Sequence, residues 1–319
     1  MKILHKLTND ITDYVISIEW GGSKSQVTRK LEITVVNAPY DPNIKQLNLK
    51  LAETLYLYSD DLKTEYFRGF IVERERSSKT GNITYTAYDL CYYTKKSKAT
   101  YNFKGKTAEK ITKIVCDDLK IPTGSLAKTG HSQKLIVKDK TIYDIIMSAY
   151  TQAHQVNKKL YMVRASKGKL NVVEYGATIC TYELDENTNI TESAFKETLE
   201  NMVNKVRIYD GDGKQIGVVQ NTGNQKYGIF QETYTKEKNK NATTTAKAKL
   251  HGIDKTATIK ALGNKMMGAI TGNGIAVVDK ATGLKGLFWI TGDTHVWEKG
   301  VHTMTLTLEF KKAMDTKEV

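Results

Sequence analysis

Alternation of apolar and polar positions runs through most of the chain and is clearest between Gly274 and Phe310. There Met304, Leu306, Leu308 and Phe310 alternate with Thr303, Thr305, Thr307 and Glu309. A strand over this run has one apolar face and one threonine-rich face. Leu287 to Thr291 predicts a strand before it, Gly300 closes the turn between the two, and Ile275 to Val278 opens the segment. The same plan occurs from Thr54 to Leu90: strands at Leu55–Tyr58 and Phe67–Arg74, a turn at Lys79-Thr80-Gly81, and Ile83, Tyr85 and Ala87 on one face of a third strand. Identity between the two stretches is low and the hairpins slip by about one residue. A separation of roughly 220 residues is too long for a solenoid unit. The pattern predicts two related β domains with an insertion between them.

Ahead of the first stretch, Ile16–Trp20 and Arg29–Val36 read as paired strands joined by a turn at Gly21-Gly22-Ser23. The loop Asn37-Ala38-Pro39-Tyr40-Asp41-Pro42 then breaks the pattern. Helical spacing appears at Ala108, Ile111, Ile114, Val115 and Leu119, with Thr107 as N-cap, and again at Ile142, Ile145, Ile146, Ala149, Tyr150 and Ala153. Strands at Lys159–Arg164 and Lys169–Glu174 follow. A hairpin over Val203–Tyr209 and Gln215–Gln220 turns at Asp210-Gly211-Asp212-Gly213, and Asn241 to Gly263 reads as a helix rich in Ala, Thr and Lys. The domain plan is a first tube-like β domain over 1–103, an α+β insertion over 104–176, a linker with one strand over 177–200, and a second tube-like β domain over 201–319 carrying a helix near 241–263. The tail beyond Phe310 is expected to be mobile.

Composition narrows the class. The 40% apolar and 26% charged residues are those of a soluble globular chain of two or more domains. Eighteen tyrosines against three prolines favour strands. No run approaches the roughly 18 apolar residues of a membrane span, and the N-terminus lacks the apolar core of an export signal. Cys91, Cys116 and Cys180 have no metal or redox spacing and suit a reducing compartment. The net charge of +13 points to polyanionic partners, but the lysines are dispersed and no basic helix or RNA-binding aromatic motif occurs.

Candidate chemistry is sparse. Asp210-x-Asp212-Gly213 opens like a calcium loop, but the later ligands are out of register and a hairpin turn explains it. His295 and His302 flank a hairpin and face each other as two metal ligands would, with no cysteine nearby; packing is the simpler account, and no metal is expected. Cys116 lies on an apolar helix stripe, and the pairs Asp60-Asp61 and Asp117-Asp118 are sequence neighbours rather than groups across a cleft. No catalytic, cofactor or metal residue is assigned. Phe70, Ile71, Phe288, Trp289 and Trp297 are candidates for oligomer-interface strands, and Thr303, Thr305 and Thr307 for a face open to water or a channel.

The order of motifs resembles the XkdQ/YqbQ family of tail hub proteins from phages and defective phage-like particles. The residues concerned are Leu31-Glu32-Ile33-Thr34-Val35, Tyr66-Phe67-Arg68-Gly69-Phe70-Ile71, Tyr85-Thr86-Ala87-Tyr88-Asp89, Tyr227-Gly228-Ile229, and Gly286-Leu287-Phe288-Trp289-Ile290 through His302-Thr303-Met304-Thr305-Leu306. The pattern spans nearly the whole chain. The resemblance implies a mainly β fold of two tube-like split β-barrel domains flanking a small α/β domain. It also implies a non-enzymatic homotrimer in the tail baseplate, assembled in the host cytoplasm. Its partners would be the tail tube protein and the central spike protein, with DNA passing through a lumen that the threonine face could line. A second class, a basic binding module for a cell-wall polyanion or DNA, is distinguished by salt-sensitive affinity. A cell-wall hydrolase lacks the acid/base pair it needs.

Overall fold

The computed structural model describes residues 1–317 except 45, 80, 239 and 265. Its first strands are β1 (Lys2–His5), β2 (Asn9–Asp10), β3 (Val15–Ser23), β4 (Gln26–Val36), β5 (Thr54–Tyr58), β6 (Glu65–Ser77) and β7 (Asn82–Tyr88), followed by helix α1 (Cys91–Lys96). The alternation predicts their inner face: Leu31, Ile33 and Val35 of β4 and Ile83, Tyr85 and Ala87 of β7 are all buried. The turn between β6 and β7 includes Thr80, which lies outside the described residues.

One turn is not where the sequence suggests. Gly21 and Gly22 are inside β3, and the chain reverses at Lys24-Ser25. A Cβ on Gly21 would stand 2.5 Å from the carbonyl oxygen of Asp293. Glycine is there because another backbone comes close, which is its other use inside a strand.

The α+β segment starts earlier than residue 104. It comprises β8 (Lys98–Thr107), α2 (Ala108–Asp118), β9 (Thr123–Leu126), β10 (Ser132–Thr141), α3 (Ile142–Asn157), β11 (Tyr161–Ser166) and β12 (Lys169–Glu174). Thr141 caps α3, its hydroxyl accepting from the Asp144 amide at 3.1 Å; Thr107 precedes α2 without making a side-chain cap bond. The helices bury Ile111, Val115, Ile145, Ile146 and Tyr150 against β10–β8 and against β11–β12–β9. The tail is docked here: Met314 is buried in this core, the Tyr143 hydroxyl donates to Asp315 at 2.7 Å, and the Lys317 amide donates to Thr151 at 3.1 Å. The expected mobile tail is therefore corrected as far as Lys317.

The stretch expected to be a linker carries two strands, β13 (Ile179–Asp185) and β14 (Ile190–Thr198). Residues Ala194–Ala257 form a separate compact unit, the rest of the chain being the other. Within this smaller unit β15 (Lys205–Tyr209) pairs β16 (Gln215–Gln220) and β17 (Gln231–Thr235) under helix α4 (Ala242–Ala248). Asn204 is fully buried: its amide donates to the carbonyls of Gly228 at 2.7 Å and Asn224 at 3.2 Å, and its oxygen accepts from the Phe230 amide at 3.0 Å. The Asp210 carboxylate accepts from the amides of Asp212 and Lys214, so it closes a turn rather than holding an ion.

The long helix expected over 241–263 is corrected to the short α4. Asp254–Leu262 is a strand, β18, with Ala257, Ile259 and Ala261 buried on one face. It leads to β19 (Gly274–Asp279), β20 (Leu284–Glu298) and β21 (Val301–Glu309). One sheet runs in the order β14-β18-β21-β20-β3-β4-β7-β6-β5-β1-β2, with β19 also on β20 and β13 on β19.

Candidate functional site

The sheet order contains the same five-strand arrangement twice: β3-β4-β7-β6-β5 and β14-β18-β21-β20-β19. Registers agree to the residue. Phe70 pairs with Thr54 and Tyr88, as Trp289 pairs with Gly274 and Glu309. The ladder of β6 with β7 slips between Ile71 and Glu73, and that of β20 with β21 slips between Ile290 and Gly292, so both hairpins carry a bulge at the equivalent place. Between equivalent pairs the second hairpin is two residues longer, Val296 to Thr303 against Ser77 to Asn82, and this shifts the two stretches against each other in the sequence.

The halves meet where the second part of β20 pairs with β3, from Gly292 opposite Ser23 to Glu298 opposite Ser17. Behind this ladder lies a buried polar seam. Arg29 forks onto the Asp293 carboxylate at 2.9 and 2.5 Å and stacks on Trp20 at 4.1 Å. Asp293 also accepts from the Thr271 amide at 2.7 Å and hydroxyl at 2.6 Å. Arg164, from the α+β segment, donates to the Thr271 carbonyl and to Asn273. Burial pushes the Asp293 carboxyl up, but Arg29 and the hydrogen bonds outweigh it and hold it below the usual carboxylate value. Burial and the charge of Arg29 lower the Arg164 guanidinium to about 10.

His295 and His302 do come together, with 3.0 Å between His295 Nδ1 and His302 Nε2. His295 Nε2 lies 3.1 Å from the Ala269 carbonyl, which only accepts, so Nε2 carries the proton and Nδ1 accepts from His302. Trp297 stacks on His302 at 4.1 Å. Burial, partly opposed by Asp293, lowers His295 to about 4, and burial with the neighbouring ring lowers His302 to about 4. The pair is a neutral packing element. Among the described residues no group of three or more His, Cys, Asp or Glu is placed to hold a metal.

The interface candidates fall in several places. Ile71 and Phe288 are buried in the chain's own core, at 1% and 5% exposure. Phe70 stacks on Tyr93 of α1 at 4.6 Å, Trp289 sits under Lys312 at 5.3 Å, and Trp297 lies in the seam. Thr305 and Thr307 are half-buried and Thr303 exposed, all on the face opposite Met304, Leu306 and Leu308. At the matching positions of the first half stand Thr84 and Thr86. Sequence reasoning missed Arg29, Asp293, Thr271 and Arg164; the signal available was the Gly21-Gly22 pair within an apolar strand.

A family model described as YQBQ-like matches residues 18–309. The chain belongs to this family. It is 28% identical over 309 residues to the phage-like element PBSX protein XkdQ of Bacillus subtilis (strain 168), covering 93% of each. It is 30% identical over 262 residues to the protein YqbQ of the same organism, covering 78% of this chain and 79% of YqbQ. The 43 kDa tail protein of prophage MuSo2 from Shewanella oneidensis shares its fold at a TM-score of 0.75 and 12% identity, with 96% of each chain covered. The YQBQ-like chain thus has the fold of a phage tail protein. Among its described residues no helix is long and apolar enough to cross a membrane.

Proposed function

We propose that the chain is a structural, non-enzymatic hub of a phage tail or phage-derived particle. Three copies close a ring that adapts a sixfold tail tube to a threefold spike in the baseplate. The observation that carries this reading is the duplicated five-strand half with its matched bulges. One chain joins two like units edge to edge, so three chains offer six like units with only threefold symmetry. Kinship with XkdQ, a protein of a phage-like element, and the fold of a tail protein support it. The tube protein and the central spike are its partners, and assembly takes place in the host cytoplasm. The threonine faces of β7 and β21 line the lumen through which DNA passes without sequence-specific contact.

Light scattering after size exclusion across a concentration series tests the reading. A species of about three times 35.9 kDa that persists on dilution is expected. A stable dimer would overturn it, because a dimer fits neither threefold nor sixfold symmetry.

A further inference from the structure

The lysines look dispersed along the sequence, but the fold gathers them. Between Lys98 and Glu174, about a quarter of the chain, fifteen Lys and Arg stand against six Asp and Glu, a net +9 of the chain's +13. Six of these lysines lie on the two-stranded ribbon β10–β8: Lys98, Lys104 and Lys106 on β8, and Lys134, Lys138 and Lys140 on β10. The ribbon's one acid is Asp139, which pairs with Lys98 at 3.2 Å. The other five lysines are exposed and have no acidic partner among the described residues. Elsewhere exposed lysines commonly have one, as Lys249 has Glu232 and Lys260 has Glu192.

Register sorts these charges by face. Phe103, Leu135 and Val137 are buried in the core with the helices, so alternation turns Asn102 and Lys104 of β8 and Lys134, Ile136 and Lys138 of β10 outward. At the bulge, where Gln133 pairs with Lys106 and Leu135 with Phe103, Lys134 lies beside Lys104. Like charges across a ladder are destabilising, and no acid of the ribbon offsets this pair. An anion bound to the face would. We propose that the outer face of β10–β8 docks a linear polyol-phosphate polymer, the class of anionic chain carried by cell walls. The proposal goes beyond the hub reading and does not depend on how many copies assemble.

The chemistry of the face selects this class. Lys134 and Lys138 stand about 13 Å apart along β10, with Lys104 about 5 Å to the side on β8, so the charges form a narrow stripe. A single phosphodiester chain presents its anions along such a stripe and bends to follow a bulged ribbon. Ile136, 42% exposed between the two lysines of β10, offers the carbon backbone of a polyol an apolar contact. The face lacks what nucleic-acid recognition uses. The ribbon has no arginine to fork onto a phosphate or a base edge. Its two rings, Tyr101 and Phe103, stack on each other at 5.0 Å on the inner face, and the Tyr101 hydroxyl donates to Asp118 of α2, so neither ring is placed to stack on a base. Lysine ammonium groups act as point charges and read the spacing of anions.

Binding of the full chain to immobilised poly(glycerol phosphate) tests the proposal, with duplex DNA and polyglutamate as comparison polymers. The parent should bind poly(glycerol phosphate) at about 50 mM salt and lose affinity steeply by about 200 mM. The triple variant Lys104→Gln/Lys134→Gln/Lys138→Gln should bind about tenfold more weakly or worse, and should lower the slope of log affinity against log salt by about 2. Lys214→Gln/Lys285→Gln/Lys311→Gln makes the same change of charge at exposed positions away from the ribbon and should stay within about threefold of the parent. Both triples should keep the parent's unfolding transition and its mass by light scattering, because the substituted side chains are exposed. No binding by the parent, or equal losses in the two triples, overturns the proposal. Tighter ribbon-dependent binding of duplex DNA or of polyglutamate overturns the choice of partner. A ribbon triple that changes the mass of the assembly makes this face a contact between copies and overturns the docking. A parent that is a stable dimer yet binds through the ribbon overturns the hub reading and leaves this proposal standing.

Discussion

Acid should act on the two-half sheet through His295, and the size of the effect follows from its burial. An unfolded histidine titrates near 6.5, whereas the folded His295 is lowered to about 4. The folded state therefore favours the neutral ring. The stability this contributes is fully present above pH 6.5 and is lost as pH falls toward 4. At about 1.4 kcal/mol per pH unit, the loss by pH 5 is about 2 kcal/mol. His302, more exposed, adds a smaller loss of the same sign. A second buried group opposes this. Burial, only partly offset by the Arg29 and Cys91 amides and the Arg29 charge, raises the Asp89 carboxyl to about 7. Its folded state takes up a proton first, so it contributes stability as pH falls from 7 toward 4, again about 2 kcal/mol by pH 5. The parent protein should thus show a nearly flat stability profile between pH 7 and 5, and single variants should unmask the two slopes. His295→Gln, which keeps a donor for the Ala269 carbonyl, should gain about 2 kcal/mol relative to the parent over that interval. Asp89→Asn should lose about the same. Urea unfolding followed by tryptophan fluorescence reads this unit directly, because Trp20, Trp289 and Trp297 are the chain's three tryptophans and Trp20 lies 5.2 Å from His295. A His295→Gln curve that stays parallel to the parent within about 0.5 kcal/mol from pH 7 to 5 would refute the reasoning.

Gly21→Ala pushes a Cβ against the Asp293 carbonyl and should destabilise the same fluorescence transition by about 2 kcal/mol. Asn204→Ala strips partners from the Gly228 carbonyl and the Phe230 amide. It should cost the smaller unit about 2 kcal/mol, seen as faster proteolysis between residues 221 and 230 with the tryptophan transition unmoved. Cys91 and Cys116 are buried, and burial raises Cys116 to about 12 and Cys180 to about 11. A thiol reagent at pH 8 should titrate at most Cys180 in the native protein and all three cysteines in denaturant.

The duplicated hairpins were legible because their signal is local: alternation, turn glycines and apolar inner positions lie within one stretch of chain. The helices of the α+β segment were legible for the same reason. The fused sheet was not, since β3 and β20 are far apart in sequence and pairing between them leaves no mark in either strand except Gly21 and Gly22. The helix expected to run to Gly263 failed at β18, where Ala257 and Ala261 have high helix propensity but are small because they pack in a sheet. Asp293 and Arg29 were invisible for a similar reason: their pairing depends on side chains brought together only by the completed fold. The histidine pair was anticipated, but its role as a neutral stack depended on the Ala269 carbonyl, which no local pattern reveals.

β20 is shared between two neighbours along its length, β19 up to Trp289 and β3 from Gly292, with β21 on its other edge from Trp289 to Glu298. Mechanically it is a splice joint. A pull along the strand axis loads the ladder from Gly292 to Glu298 in shear, so its hydrogen bonds resist together, whereas a pull across it would part them one at a time. The joint is stiff in one direction and yielding in the other.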